Sequence, residues 1–459
     1  MADLDLILTA ASGSGGDADP TDHSGRHCLL LTRERDTSEM ESLAEAVGLV
    51  IVETLVQSGR ENVRSYLGSG RLDAIAAELA SRNAAHPWMG VDLVLMHVNA
   101  SPTQLVQLGS ALDIECWDRV RLLLNLFTSK ADSIDSRLQV RLAMLHADRS
   151  IMREVVRMRT KGEHLGHGAG GRHALESVMR TVDRELASLE RKRRKRETSR
   201  RERRKRRARQ GAKSIGLVGY TNAGKSSLFQ MMAGKPVLID DRLFSTLETA
   251  VGRLQASPRI LMIDTIGFVD NLPSVLLDAF AATIDESAAC ELVLLVVDAS
   301  DGPAEMERKL STCLGELDAQ REHLALERIQ VVLSKADLVA ERRLARYAEV
   351  IRRRGMGSPV SVSSVEGRGA AELREVIMSH LYGTPREVSI LPPTTEHHRA
   401  VPAIIAGLHE IGHVLEQNEV GTEGGMCLTL WVDDSALSRM ISRRNGQIMM
   451  NRGREGAFT

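Results

Sequence analysis

The sequence predicts a multidomain α/β protein, and three features carry this prediction. At 459 residues the chain is too long for one ordinary domain. Apolar strand-like runs alternate with helical runs in two separate stretches, which is the pattern of parallel sheets covered by helices. The stretch between them has no strand pattern and predicts a long helical hairpin. A short C-terminal region with one helical run and one strand-like run predicts a small α+β domain.

The first alternating stretch follows a polar tail. Residues 1–25 are rich in Gly, Ser, Asp and Thr, which predicts a disordered tail. Residues 26–130 are expected to form a small N-terminal α/β domain with a helix over 38–47. Its strands are predicted over 28–31, 49–52 and 91–96.

Residues 131–210 predict the helical hairpin. One helical run begins near Leu138 and continues to about residue 159, and a second run begins near Ala174. Five glycines between residues 162 and 171 separate the two runs and predict a flexible tip.

The second alternating stretch, residues 211–383, predicts a phosphate-loop domain with a mostly parallel mixed sheet flanked by helices. Residues 384–459 predict the small α+β domain, with a helix over 401–417 and a strand over 426–432. The strands of the phosphate-loop domain are predicted over 214–218, 260–263, 292–297, 329–333 and 359–362.

Composition narrows the class of protein. Five cysteines without paired spacing suit a reducing compartment better than a disulfide framework. No apolar run is long enough to span a bilayer, and the N-terminus lacks the basic region of a signal peptide. A cytoplasmic protein is therefore expected.

A net charge of −1 hides a strongly basic segment. Residues 191–210 hold 14 Lys and Arg against two Glu, a local charge of +12, so the rest of the chain sums to −13. The segment could be the solvated end of a helix, but like charges one turn apart repel, which favours an RNA partner. Its candidate RNA contacts are Arg200, Arg201, Arg203, Arg204, Lys205, Arg206 and Arg207.

The most specific motif is a phosphate loop of the pattern GxxxxGK[ST] between an apolar strand and a helical run. Its backbone amides and the positive end of the following helix suit a polyphosphate. Lys225 would reach the outer phosphates, and Ser226 would ligate Mg²⁺. The candidate nucleotide-binding residues here are Gly219, Tyr220, Thr221, Asn222, Ala223, Gly224, Lys225, Ser226 and Ser227.

A second motif, DxxG, supplies the γ-phosphate side of the site. Asp264 would hold Mg²⁺ through water, and the Gly267 amide would sense the γ-phosphate. Thr246 lies between the two motifs, where a switch-loop threonine would ligate Mg²⁺. The candidate nucleotide-binding residues of this motif are Asp264, Thr265, Ile266 and Gly267. The candidate catalytic residues are Lys225, Thr246 and Gly267.

Guanine specificity is predicted from two loops that follow later strands. The first resembles NKxD, with a serine where asparagine is expected. Its Asp337 would accept two hydrogen bonds from the ring NH and amine of guanine, which adenine cannot donate. In the second loop a backbone amide would bind the guanine carbonyl. The candidate residues of these loops are Ser334, Lys335, Asp337, Ser363, Ser364 and Val365.

Two residues bear on the rate of hydrolysis. Phe268 follows Gly267, where many signalling GTPases carry the glutamine that orients the attacking water, so slow intrinsic hydrolysis is expected. Asn222 occupies a position where some GTPases use an asparagine together with K⁺, although it could instead cap the loop backbone. The phosphate loop and the DxxG motif make Mg²⁺ the expected cofactor, and Asn222 makes K⁺ an additional candidate.

A short C-terminal segment matches the zinc-protease pattern HExxH. A helix would place His409 and His413 on one face, with Glu410 as general base. No third ligand has suitable spacing, and the segment is better explained as an amphipathic helix with the histidines at its margin. The inward positions of that helix would be Ile404, Ile405, Leu408, Ile411 and Leu415.

Over most of residues 26–459 the chain resembles the HflX family of translation-factor-related GTPases. The resemblance includes YLGSGRL at 66–72, the run from WDR to LF at 117–127, LQVRLA at 138–143, and DTIGFV with the following LP at 264–273. It implies binding to the large ribosomal subunit, dissociation of stalled or idle ribosomes, and a hairpin placed near the peptidyl-transferase region.

The motifs predict a Mg²⁺-dependent GTPase that hydrolyses GTP slowly, and the resemblance implies that it binds the large ribosomal subunit and is stimulated by ribosomes. A monomer is expected. The expected location is the cytoplasm, in part at ribosomes or membranes. The alternative hypothesis is a nucleotide-gated protein that binds or remodels RNA away from the ribosome.

Overall fold

The structure is a computed structural model that describes most of the chain in two compact units. The first unit holds the described residues up to Arg200 together with Leu276, and the second holds those from Arg201 onward. No helix among the described residues has the length and apolarity needed to cross a bilayer. The described residues are 22–59, 61–81, 85–131, 133–162, 169–209, 211–234, 250–256, 258–264, 267–268, 276, 287–320, 325–391, 400–420, 425–443 and 447–450.

The first unit opens with a parallel four-stranded sheet of order β2-β1-β3-β4. Its two central strands are mostly buried, as expected where helices cover a parallel sheet, whereas Val50 and Val56 of an edge strand are exposed. The strands are β1 (His27–Thr32), β2 (Val50–Val56), β3 (Val91–Met96) and β4 (Glu115–Asp118). The helices are α1 (Ser38–Val47), α2 (Ser69–Ser81), α3 (Pro102–Leu112) and α4 (Arg119–Lys130). Residues 22–25, which the sequence assigned to the tail, form a turn in which Gly25 N donates to Gly48 O.

The predicted hairpin consists of α5 (Ile134–Gly162) and α6 (Ala169–Arg209). Ion pairs join Arg141 to Glu185 at 3.0 Å and Arg149 to Asp183 at 2.6 Å. The predicted glycine break is shorter than expected, because Gly162 lies in α5 and Gly171 lies in α6. Residues 163–168 lie outside the described residues. The apolar contact between the helices includes Leu142, Leu145, Met152, Val182 and Leu186.

The second unit contains a six-stranded sheet of order β10-β9-β8-β5-β7-β6, in which only the β6–β7 pair is antiparallel. This mixed, mostly parallel sheet confirms the predicted fold class. The strands are β5 (Lys213–Gly219), β6 (Ala250–Gln255), β7 (Ile260–Asp264), β8 (Leu292–Asp298), β9 (Ile329–Ser334) and β10 (Val360–Ser361). The helices are α7 (Lys225–Ala233), α8 (Pro303–Gln320), α9 (Glu341–Arg353) and α10 (Ala370–Tyr382).

A second sheet of this unit is antiparallel, with the order β12-β13-β11-β14, and we call it the C-terminal sheet. Helices α11 (Ala400–Ile411) and α12 (Asp434–Arg443) accompany it. The strands are β11 (Arg386–Ile390), β12 (Gly412–Val420), β13 (Gly425–Val432) and β14 (Ile448–Met450).

The predicted helix over 401–417 is wrong beyond Ile411, because the chain changes there from helix to strand β12. From Gly412 onward the backbone pairs with β13, a tertiary contact that overrides local helix propensity. Leu415, expected to face inward, is 44% exposed. The change also separates the two histidines of the HExxH pattern, since His409 lies on α11 and His413 on β12.

Trp431 of β13 connects the C-terminal sheet to the apolar core of the six-stranded sheet. The side chain is 6% exposed and contributes to the same cluster as Leu381 and Tyr382 of α10. Its indole Nε1 donates to Gly383 O at 3.1 Å. The indole NH is thus satisfied while the ring remains in the apolar core.

Replacing Trp431 with alanine should therefore destabilise both sheets together. We expect Trp431→Ala to lower the free energy of unfolding by about 3–5 kcal/mol, because it leaves a large cavity in a shared core. Urea denaturation followed by circular dichroism measures the change. Leu415→Ala on the neighbouring strand is the control, expected to change stability by less than about 0.5 kcal/mol because Leu415 is exposed. Equal midpoints for the two variants would contradict the shared core.

Candidate nucleotide site

The candidate site lies at the carboxyl edge of the six-stranded sheet. The phosphate loop follows β5, the strand between β7 and β8, and leads directly into α7. The second motif begins at the end of β7, and the predicted guanine loop follows β9. Parallel strands bring their carboxyl ends to one edge, so residues from distant parts of the chain meet there.

Two glycines allow the backbone segments of the site to approach closely. A Cβ at Gly219 would lie 2.3 Å from the carbonyl oxygen of Val296 on β8. A Cβ at Gly267 would lie 2.7 Å from Lys225 Nζ and 2.8 Å from Thr221 Cα. Any side chain at either position would push the phosphate loop away from its neighbours.

Lys225 is 7% exposed and points into the phosphate loop. Its Nζ donates to Gly219 O at 3.1 Å and to Tyr220 O at 2.8 Å. Burial lowers the pKa of Lys225, and the Asp264 carboxylate opposes that effect. A phosphate next to this ammonium group would favour its charged form in the same way.

The residues predicted to hold Mg²⁺ meet as two buried oxygen groups. Ser226 Oγ donates to Asp264 Oδ2 at 3.0 Å, which joins the start of α7 to the end of β7. A hydroxyl and a carboxylate are oxygen ligands that suit a hard cation such as Mg²⁺. The hydroxyl of Thr221 is also buried and has no hydrogen-bond partner among the described residues. The candidate residues Thr246, Thr265 and Ile266 lie outside the described residues.

The segment after β7 continues alongside the phosphate loop. Phe268 N donates to Gly219 O at 3.0 Å, and Thr221 N donates to Phe268 O at 2.8 Å. The Phe268 side chain is 2% exposed, so the ring packs inward. The position that carries a water-orienting glutamine in many signalling GTPases therefore presents only backbone to the site.

The serine that replaces asparagine in the predicted guanine loop contacts the phosphate loop. Ser334 Oγ lies 2.7 Å from Ala223 O and 3.0 Å from Val297 O, and its proton can be donated to either. The next residue, Lys335, has a positive φ of 54° and pairs with Asp298 Oδ2 at 2.6 Å. These bonds fix the start of the loop that carries half-buried Asp337.

The second predicted guanine loop joins the first through the backbone. Ala336 N donates to Val362 O at 3.1 Å. Ser363 is fully buried and its Oγ accepts from Glu366 N, whereas Val365 is 89% exposed. The structure thus brings the NKxD-like loop and the 363–365 loop together at one end of the phosphate loop.

Sequence reasoning missed two contacts at this edge. Asp298 ends β8 and pairs with Lys335. An acidic residue at the end of an apolar strand is a signal in the sequence that could have predicted a role at this edge. The Tyr220 ring lies near two cations of α8, with Lys309 Nζ 5.0 Å and the Arg308 guanidinium 5.6 Å from its centre. That contact joins positions far apart in sequence, so no local pattern predicts it.

The candidate RNA-binding residues lie on the last turns of α6, and they differ in environment. Arg200 pairs with Asp135 Oδ2 at 2.7 Å, and Arg196 pairs with the same carboxylate. The Arg200 guanidinium is therefore already paired within the hairpin. Arg204 and Arg207 are half-buried. The exposed basic residues here include Arg201, Arg203, Lys205, Arg206 and Arg209.

The zinc-site interpretation of the HExxH pattern is wrong. His413 lies in β12, where its Nδ1 is 2.9 Å from Gln255 Nε2 and its ring stacks on Trp431. Within the described part of the chain, no cluster of His, Cys, Asp and Glu side chains could hold a metal ion.

Comparisons with known proteins agree with this geometry. A family model described as "50S ribosome-binding GTPase" matches residues 214–335, and one described as "GTP-binding GTPase N-terminal" matches 34–128. The GTPase HflX of Methanocaldococcus jannaschii is 31% identical over 402 residues, which cover 85% of this chain and 94% of that protein. The GTPase HflX of Thermococcus kodakarensis is 31% identical over 392 residues, covering 83% and 86% respectively.

Solved structures of nucleotide-binding proteins are also similar to this chain. A GTP-binding protein from Sulfolobus solfataricus in complex with GDP is 19% identical, with a TM-score of 0.41. The match covers 77% of this chain and 98% of that one.

The predicted role of Asp337 can be tested by changing its hydrogen-bonding chemistry. Asp337→Asn should lower GTP affinity by about 10- to 100-fold, because hydrogen bonds to a charged acceptor are lost, and should shift preference towards xanthosine nucleotides. Competition between guanosine and xanthosine diphosphates for the purified protein measures this. Glu366→Gln, an exposed carboxylate on the adjacent loop, is the control. Unchanged guanine selectivity in Asp337→Asn would rule out this assignment.

Proposed function

This chain belongs to the HflX family of GTPases, and we propose that it docks on the large ribosomal subunit and dissociates stalled or idle ribosomes. It binds guanine nucleotides and hydrolyses GTP. The proposal of a ribosomal partner draws on the family description "50S ribosome-binding GTPase", which matches residues 214–335. It also draws on the basic end of α6, which suits an RNA phosphate backbone.

The observation that carries the proposal is the short connection between the basic helix and the phosphate loop. Helix α6 ends at Arg209, and β5, which leads into the phosphate loop, begins at Lys213. Ala212 N donates to Arg207 O at 3.1 Å, so the junction is hydrogen-bonded. RNA bound along this helix would contact the segment that directly precedes the nucleotide site.

In the proposed reaction, water attacks the γ-phosphate in line with the bond to the departing GDP. Lys225 and the amides of the phosphate loop stabilise the negative charge that develops on the phosphate oxygens. Mg²⁺, when bound near Ser226, Thr246 and Asp264, neutralises charge on the β- and γ-phosphates. The Gly267 amide donates to the γ-phosphate. The position of the second motif therefore depends on whether a γ-phosphate is bound.

Slow intrinsic hydrolysis follows from the lack of a polar side chain next to the attacking water, at the position after Gly267. Phe268 is buried and has no polar side-chain group, so its side chain cannot orient that water. The missing group comes from the ribosome or from ordering of the segment that contains Thr246. Asn222 is exposed in the phosphate loop with a positive φ of 59°. Its side-chain oxygen would provide a ligand for K⁺ there.

Each predicted domain has a role in this cycle, and the protein acts as a monomer. GTP orders the switch segments of domain 211–383, and the ordered form binds the large subunit. The hairpin, 131–210, contacts ribosomal RNA through its basic end, and hydrolysis then releases the protein. The N-terminal domain, 26–130, holds the hairpin in position. The C-terminal domain, 384–459, holds the six-stranded sheet of domain 211–383.

The direct test is GTP turnover by the full chain, with and without large ribosomal subunits, in potassium and then in sodium buffer. We expect subunits to raise turnover by roughly 10-fold or more, because a partner supplies the group that Phe268 lacks. Turnover that ignores subunits would favour RNA remodelling away from the ribosome. A requirement for potassium in the basal reaction would support the Asn222 site separately.

Charge reversal tests whether the basic helix is the RNA contact. Replacing Arg203, Lys205 and Arg206 with glutamate should weaken binding to large subunits and reduce its salt dependence by about one unit of slope per lost phosphate contact. Sedimentation with subunits at several salt concentrations measures this, and nucleotide affinity should stay unchanged. Three exposed arginines of α9 provide the matched control, with the same charge change: Arg342, Arg343 and Arg346. Equal effects of the two triple variants would contradict the proposed contact.

A further inference from the structure

The first predicted guanine loop holds an unpaired carboxylate close to a paired cation. Asp337 is half-buried, and its carboxylate has no hydrogen bond or ion pair with any residue that the structure describes. Lys335 lies two positions earlier in the chain, and its Nζ pairs with Asp298 Oδ2 at 2.6 Å. The cation of the loop is thus bound to a neighbouring strand, while the carboxylate remains available to accept hydrogen bonds from a ligand.

The Asp298 carboxylate is held in one orientation by its own contacts. It ends β8 and is 8% exposed. Its Oδ1 accepts hydrogen bonds from the backbone N of Ser300 at 2.8 Å and from the Ser300 hydroxyl at 2.6 Å. Its Oδ2 faces Lys335, so both oxygens have partners, as a buried carboxylate requires. The backbone also joins the two strand ends, because Ala299 N donates to Ser334 O at 3.0 Å.

The backbone of the loop is fixed, so the side chain of Lys335 is its adjustable part. Lys335 has a left-handed conformation, with φ 54° and ψ 36°, and precedes a single 3-10 turn over 336–338 that carries the unpaired carboxylate. A residue other than glycine adopts this conformation when its surroundings impose it. Ala336 N donates to Val362 O at 3.1 Å, and Arg368 Nη2 donates to Ala336 O at 2.8 Å.

Two carboxylates compete for the Lys335 ammonium group. A lysine carries its charge on a flexible four-carbon stem, so the ammonium group can change partners without any movement of the backbone. Asp298 is the more buried of the two carboxylates, and a buried ion pair is screened less by solvent. If Asp298 lost its charge, Asp337 would be the carboxylate nearest to Lys335 in the sequence. An ammonium group bound there would occupy the oxygens that guanine needs.

We propose that Asp298 is a positioning residue for guanine recognition: by holding the Lys335 ammonium group, it keeps the Asp337 carboxylate free for the base. Base selectivity then depends on a residue of β8 that lies outside both predicted guanine loops. This inference rests on the proposed function, because it takes Asp337 as the acceptor for the ring NH and amine of guanine. Inosine nucleotides lack only that amine, so the ratio of guanosine to inosine affinities reports on this contact.

The test compares affinities of the full chain for GDP and inosine diphosphate by isothermal titration calorimetry. We expect the unaltered protein to prefer GDP by about 10-fold or more, because the amine donates to a charged acceptor. Asp298→Asn removes the charge and keeps the size of the side chain, and it should reduce this preference by about 3- to 10-fold. Asp298→Glu keeps the charge and should retain most of the preference. An unchanged preference in Asp298→Asn would overturn the inference.

A second substitution tests the competition from the side of the cation. Lys335→Met removes the ammonium group, so nothing is left for Asp298 to hold away from Asp337. Adding Asp298→Asn to Lys335→Met should therefore leave the preference for GDP over inosine diphosphate unchanged, whatever the affinities themselves become. If Asp298→Asn lowers the preference equally with and without the lysine, the inference is wrong. Equal losses of GDP and inosine diphosphate affinity in Asp298→Asn would also overturn it, because a merely structural contact affects both nucleotides alike.

Asp301→Asn is the matched control, since it removes an ion pair of the same kind just after β8. The Asp301 carboxylate oxygens lie 2.8 and 2.9 Å from Lys309 Nζ. That cation lies on α8 beside the Tyr220 ring, and it belongs to neither predicted guanine loop. Asp301→Asn should therefore leave the preference for GDP over inosine diphosphate unchanged. Equal losses of preference in Asp298→Asn and Asp301→Asn would contradict a specific role of Asp298.

Asp337→Asn separates this inference from the proposed function. If Asp337→Asn lowers the preference for GDP over inosine diphosphate and Asp298→Asn does not, the Asp298 inference is wrong and the assignment of Asp337 stands. If Asp337→Asn leaves the preference unchanged, the assignment of Asp337 is wrong, and the positioning role of Asp298 fails with it.

Discussion

The nucleotide site depends on the close approach of backbone segments at the carboxyl edge of the six-stranded sheet. Gly219 leaves room for the Val296 carbonyl, and Gly267 leaves room for the Lys225 ammonium group. With side chains at these positions the strands would separate, and the phosphate loop would no longer face the second motif. The packing of the sheet thus arranges the backbone of the phosphate loop and the ammonium group of Lys225.

The loops of the site are held together by polar contacts that also satisfy buried groups. Ser334 contacts the backbone of the phosphate loop, and Lys335 pairs with Asp298 of the neighbouring strand. Ser226 and Asp264 share a buried hydrogen bond at the opposite end. Because a buried polar group is costly when unpaired, these contacts both stabilise the edge and hold the phosphate loop and the predicted guanine loop in a fixed relation.

Charge divides the basic helix into a structural part and an accessible part. Arg196 and Arg200 both pair with Asp135, near the start of α5. Further along, Arg203, Lys205 and Arg206 are exposed, and Arg203 and Arg206 are three residues apart on one helical face. The repulsion among these cations would be relieved by an anionic partner, and their closeness to β5 would give the proposed RNA binding a short route to the nucleotide site.

The sequence alone determined most of the sheet-forming strands and the placement of the motifs, because an apolar run followed by a glycine-rich or acidic turn encodes a strand end locally. It did not predict strands β4, β6, β11, β12 and β14. It did not determine the change from helix to strand at Gly412, because pairing with β13 outweighs local helix propensity there. It also gave no indication that His413 would meet Gln255, since that contact joins positions 158 residues apart. Only the tertiary structure decides such contacts, because they depend on which surfaces pack together and local sequence patterns do not specify that.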